Sequence, residues 1–186
     1  MKTTLTAQQT AFYTKNGYIE FEIPHPFPFD HKERDQFRDQ PKLQDFLLRK
    51  IGPLALVLAG KKRLRLACDQ LIAQENRPKK AGLLKGLFSI QGFALAIAIS
   101  KNPIIPAKKS PLGILPIPYT AENILFFRPD LILDWPHVSS DVYIALFALP
   151  DAVYIHNPHD PATNLLKQFG YNFGDRLKNE FHPQII

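Results

Sequence analysis

The chain has 186 residues, 45% of them apolar, which suits one domain with a sizeable core. Its single cysteine, Cys68, excludes an internal disulfide and points to a reducing, cytoplasmic setting. The longest apolar tract, Leu87–Ile99, is broken by Ser89, Gln91 and Gly92 and falls short of the ~20 residues of a membrane span, and the polar N-terminus argues against a secretory signal.

Taken in chain order, Thr6 is a helix cap with Gln9 as its capping-box partner, predicting a helix over Ala7–Lys15 that ends at Asn16 and Gly17. A strand over Tyr18–Ile23 follows, and the proline-rich stretch Pro24–Pro28 must be extended. A charged helix is expected from about Asp30, another over Pro41–Lys50, then an apolar turn over Leu54–Leu58. Strands begin at Arg63–Ile72, where alternation places Leu64, Leu66, Cys68 and Ile72 on one face. Phe93–Ser100 alternates large residues with alanines, predicting a strand covered on both sides. Further strands are expected at Leu112–Leu115, Ile124–Phe127, Leu131–Leu133 and Val142–Leu149, with a short helix over Ala162–Phe169 and a helical turn over Gly174–Glu180. The expected fold class is α+β: residues 1–60 mainly helical, 61–155 a β-core, 156–186 a helical tail, all in one domain.

Net charge is +6, unevenly spread. Residues 61–109 hold eleven Lys and Arg against Asp69 and Glu75, a local excess of +9. Such a segment suits nucleic acid, acidic lipid headgroups or a phosphorylated ligand, with Lys79, Lys80, Lys108 and Lys109 as candidate contacts; the plainer reading is a solvated basic face. No nucleic-acid reader motif accompanies it.

Several pieces, in order, resemble one family. They are Leu5–Ile19, Arg63–Ile72, Gly92–Lys101, Ala121–His137, Tyr154–Pro161 and Gly170–Asp175. Together they are similar to phytanoyl-CoA dioxygenase-like proteins of the iron(II)/2-oxoglutarate oxygenase superfamily. The resemblance implies a double-stranded β-helix (a jelly-roll, cupin-like core) flanked by N-terminal helices. It also implies iron held by His-x-Asp/Glu and a distal His.

At the positions where the resemblance places those ligands, this chain departs from the pattern. The interval from Asp69 to Gly92 contains no histidine, the distal ligand position holds Asp134, and the strand Val142–Leu149 has no arginine for the 2-oxoglutarate carboxylate. The resemblance therefore implies a degenerate oxygenase, with no catalytic residues and neither iron(II) nor 2-oxoglutarate expected unless the ligands have moved. Asp134, Trp135, His137, Asp69 and Gln70 mark the former iron mouth.

Relocated metal ligands have few sources. His31-Lys32-Glu33 is the only His-x-acid triplet, in a charged stretch where the two side chains diverge on a helix. His156, His159 and Asp160 form a denser cluster, whose plainer reading is a polar turn. Cys68 reads as a small core residue. Three functions follow: a non-catalytic binder of an unidentified small molecule or protein, an oxygenase with a relocated metal site, or a divalent-cation-responsive DNA-binding regulator.

Overall fold

The computed structural model describes residues 5–22, 34–100, 114–115, 123–137 and 141–186. Helix α1 (Ala7–Asn16) begins where Thr6 accepts the Gln9 N–H and Gln9 accepts the Thr6 N–H, the expected reciprocal cap. Gly17, at φ 79°, ends it in the left-handed region and feeds β1 (Tyr18–Glu22). The charged helix expected from about Asp30 starts outside the described residues, and from Arg34 on the chain makes only a single 3-10 turn, Gln36–Arg38. A continuous helical stretch follows, α2 (Pro41–Asp45), a π-turn (Phe46–Ile51) and α3 (Gly52–Ala59). The apolar turn expected at Leu54–Leu58 is thus helix, because Pro53 falls in the first turn of α3, where no N–H is required.

The remaining strands are β2 (Leu64–Ile72), β3 (Gly82–Leu83), β4 (Ile90–Ser100), β5 (Ile114–Leu115), β6 (Asn123–Phe127), β7 (Ile132–Leu133), β8 (Val142–Tyr154) and β9 (Gln184–Ile185). Six form an antiparallel sheet in the order β1-β6-β4-β8-β2-β9, and β3-β7-β5 form a smaller one. The helical tail expected after residue 156 is corrected: it holds a 3-10 turn at Leu165–Phe169, bridges Val153 through Arg176, and ends as β9 on β2. No helix among the described residues is long and apolar enough to cross a membrane.

The large sheet separates two apolar layers. On its outer face, Leu95, Ile97, Ile99, Tyr143, Ala145 and Phe147 pack on Leu43, Leu47, Leu54 and Leu58 of the helices. On the inner face, Ala96, Ala98, Ile144 and Leu146 meet Leu133 of β7 and Trp135. The expected covering of β4 on both sides is observed, with Leu95, Ile97 and Ile99 toward the helices and Ala96 and Ala98 inward, whereas Phe93 and Ala94, before a register shift, pack the opposite way. Each fully buried Leu or Phe contributes about 1.5–3 kcal/mol.

In β2, however, the predicted single face is split. A register shift between Leu66 and Cys68 turns Leu64 and Leu66 to the helices and Cys68 and Ile72 inward. Strict alternation misses this because one extra residue swaps the faces. A second irregularity surrounds Gly92, at φ 102°, where an added Cβ would stand 3.1 Å from the Ala152 Cα. Gly92→Ala is therefore expected to lower stability by about 1–3 kcal/mol; a denaturation midpoint equal to wild type would contradict this packing.

Candidate functional site

The free side of β2 is closed at one end by β9 and at the other by a reversal of the chain at Arg34 and Asp35. Arg34 forms an isolated antiparallel bridge with Gln70, and the Asp35 N–H donates to the Asp69 carbonyl at 2.8 Å. Asp35 then takes φ 62°, the only positive φ among described non-glycine residues, which redirects the chain into the 3-10 turn. Aspartate tolerates that backbone better than most side chains.

This reversal gathers residues far apart in sequence. Arg34 places Nε and Nη2 on Gln70 Oε1, at 3.1 and 2.9 Å, and Nη1 on Asp160 Oδ2 at 2.8 Å. Its guanidinium also lies over the Phe88 ring. Asp160 is completed by Ser89 Oγ at 2.7 Å and the Ala162 N–H at 2.9 Å. Arg38, one turn on, contacts Asp35 Oδ2 at 3.1 Å through Nη2, and its guanidinium stacks on Phe169 and Phe181.

His182 Nδ1 donates to the Ala67 carbonyl at 2.8 Å, leaving Nε2 to accept from Arg38 Nη2 at 3.4 Å. Three groups at this centre are buried without a hydrogen-bond partner among the described residues: Arg38 Nε, Arg38 Nη1 and Asp35 Oδ1. Beside them opens a groove of about 440 Å³, whose lining includes Arg34, Asp35, Arg38, Gln70, Leu165 and Phe169.

The residues singled out in the sequence are spread around the fold. Asp69 is fully buried on the outer face, opposite Ala145, with Tyr143 Oη donating to its carboxylate at 2.5 Å. Gln70 turns inward with Arg34. Trp135 is 1% exposed in the inner core, across the sheet from Asp69, with Asp134 buried beside it and His137 at the end of their 3-10 turn. The iron-mouth set is therefore divided between two faces.

His156 and His159 are exposed, whereas Asp160 is buried against Arg34. Asn157 sets this turn by donating to the Gly86 and Phe88 carbonyls and accepting from the His159 N–H. Among the described residues, no group of three or more His, Cys, Asp and Glu side chains is placed to hold a metal ion. Lys79 and Lys80 are exposed; Lys108, Lys109 and His31-Lys32-Glu33 lie outside the described residues. Arg34, Asp35 and Arg38 escaped the sequence reading. The one available signal was apolar Phe37 inside a charged run, and it is fully buried on the outer core.

No protein-family model and no curated protein matches the chain. Solved structures do. The α-ketoglutarate-dependent carbocyclase SnoK from nogalamycin biosynthesis superposes with a TM-score of 0.66 at 14% identity, covering 98% of this chain and 97% of its own. The α-ketoglutarate-dependent epimerase SnoN, from the same biosynthesis, gives 0.62 at 15%, over 95% and 96%. CT296 from Chlamydia trachomatis gives 0.50 at 19%, over 80% and 97%. At these identities the likeness shows a shared fold.

Burial governs the titration of this centre. It raises the Asp69 carboxyl to about 7, against the opposing Tyr143 hydrogen bond, and the Asp35 carboxyl to about 6, against Arg38 and Arg34. Burial, then the neighbouring Arg38 charge, lowers His182 to about 3. Cys68 is raised by burial, which leaves it a protonated thiol. Both acids bind protons on folding, so their contribution is complete below the usual carboxylate pKa near 3.9 and is lost as pH rises through about 6 and 7. His182 works oppositely, its contribution being present above about 6.5 and lost as pH falls through about 3. Two acids outweigh one histidine, so the thermal midpoint is expected to fall between about pH 5 and pH 8, and Asp69→Asn to flatten that slope. A wild-type midpoint that rises across this range would contradict the buried-acid account.

Proposed function

We propose that this chain keeps the double-stranded β-helix of the iron(II)/2-oxoglutarate oxygenases, in a phytanoyl-CoA dioxygenase-like form, and has lost the iron site. It acts as a non-catalytic binding protein, with the groove at the β2 edge as its ligand site. The observation that carries this reading is the contrast between two places. Where the resemblance puts the distal ligand, Asp134 is buried beside Trp135, which packs with Ala96, Ala98, Ile144 and Leu146 of the inner face. Where the chain reverses at Asp35, the charged and polar residues Arg34, Asp35, Arg38 and Gln70 line an open groove.

Support comes from the donor chemistry as well. Iron(II) in this fold needs two imidazoles and a carboxylate on converging strands, leaving positions open for the cosubstrate. The interval Asp69–Gly92 offers no imidazole, and β8 offers no guanidinium to grip a carboxylate. The residues present therefore do not fit an iron/2-oxoglutarate centre, and no oxidative step is assigned to them. A six-stranded sheet facing a three-stranded one across a shared apolar layer, and the likeness to SnoK and SnoN, support the β-helix itself.

The test is elemental analysis of protein purified without chelators, repeated after anaerobic incubation with iron(II) and 2-oxoglutarate, together with an assay for succinate. The expected outcome is iron far below stoichiometric and no succinate above background. One iron per chain with succinate release would overturn the reading in favour of a relocated metal centre.

A further inference from the structure

The helical layer on the outer face carries a charge pattern that packing does not explain. α2, the π-turn and α3 run unbroken over residues 41–59, about 28 Å at the rise of a helix. Leu43, Leu47, Ile51, Leu54 and Leu58 recur three or four residues apart and are buried on the sheet. The other side of the helix is an exposed stripe of Lys42, Asp45, Arg49, Lys50, Pro53 and Val57. At its end Gly60, at φ 61°, turns the chain back, and the Lys61 N–H donates to the Leu56 carbonyl at 3.0 Å. Exposed Lys61, Lys62 and Arg63 thus follow directly on the last helical turn.

Residues 41–63 hold six Lys and Arg against Asp45 alone. Among the described residues, only Arg49 of the six meets a carboxylate, that of Asp45 at 2.6 Å. Both side chains of that pair are largely exposed, at 79% and 53%, so it contributes little to stability. The π-turn holds Leu47 and Ile51 in the core and keeps both Arg49 and Lys50 outside. Single-turn insertions of this kind inside helices recur at functional sites.

Two features select the partner. Six cations spread along one helix suit a surface of repeated negative charge, since a single compact anion would leave most of them unused. The stripe is also not purely polar. Val57 is 55% exposed, Pro53 lies one turn before it, and Phe46, Leu48 and Leu56 are only partly covered. A sugar-phosphate backbone gives such groups nothing apolar to enter, whereas the headgroup boundary of a bilayer does. The exposed side of a helix packed on a sheet is convex, which suits a flat partner. No span is implied, because the apolar side of this helix is consumed by the sheet.

We propose that this face docks on the surface of an anionic lipid bilayer. Lys42, Arg49, Lys50, Lys61, Lys62 and Arg63 meet the headgroups, and Val57 enters the boundary beneath them. The docking is independent of the groove and of the iron site.

Flotation of the full chain with vesicles of equimolar phosphatidylglycerol and phosphatidylcholine, against phosphatidylcholine alone, tests this. Binding is expected on the anionic vesicles only, and is expected to fall as salt is raised. Arg49→Glu with Lys50→Glu is expected to weaken it about 25-fold or more, from about fivefold per basic residue. Lys79→Glu with Lys80→Glu makes the same change in net charge on the exposed loop before β3 and is expected to weaken it far less. Val57→Trp adds a reporter beside buried Trp135. Its emission is expected to shift to the blue on anionic vesicles and to stay unchanged on duplex DNA. Thermal midpoints near that of wild type are expected for these exposed positions. No binding of wild type to anionic vesicles, equal losses in the two double variants, an unshifted Val57→Trp emission, or tighter binding to duplex DNA than to the vesicles would each overturn the proposal.

Discussion

The Arg34 guanidinium is the fastening on which the site depends. It joins three segments that backbone pairing alone leaves apart: the β2 edge through Gln70, the 3-10 turn Leu84–Leu87 and Phe88, and the turn around Asp160. A buried pair of this kind gains little net energy over apolar packing, yet removing one partner strands a charge and costs about 3–5 kcal/mol. Its role is therefore to specify position. With Arg34 fixed, Asp35 must take its left-handed backbone, and Arg38 must fall over Phe169 and Phe181.

The same constraint explains why the polar groups lie at the edge of the sheet. Alternation along β8 sends Tyr143, Ala145 and Phe147 to the helices and Ile144, Leu146 and Ala148 inward, so both faces are consumed by packing. Asp69, the one carboxylate on the outer face of β2, is held by Tyr143 and the Phe37 N–H and has no path to the inner layer. A fold shared with α-ketoglutarate-dependent enzymes does not by itself carry their activity.

Much of the scaffold was legible in the sequence, because its determinants are local. Thr6 and Gln9 lie three residues apart and cap α1 as their chemistry dictates. The large-and-small alternation of β4 reports its two-sided burial directly. The β2 bulge was not legible, since nothing in Arg63–Ile72 marks where one residue drops out of register. The groove was invisible for a related reason. Arg34 finds Asp160 126 positions away and Arg38 finds His182 144 away, so neither partnership leaves a spacing that can be read along the chain. The run of charges around Phe37 looked like a solvated helix because its two arginines, taken alone, resemble any exposed pair.

The account turns on whether the inner layer is solid apolar packing or a metal centre. Trp135 is the only tryptophan and sits in that layer, so its indole N–H gives one isolated nuclear magnetic resonance signal. The decisive measurement is that signal with and without manganese(II) plus 2-oxoglutarate, the paramagnetic ion standing in for iron(II). A line that stays sharp at stoichiometric metal is the result predicted here. Selective broadening of the Trp135 line would place a metal within the inner layer and contradict the account.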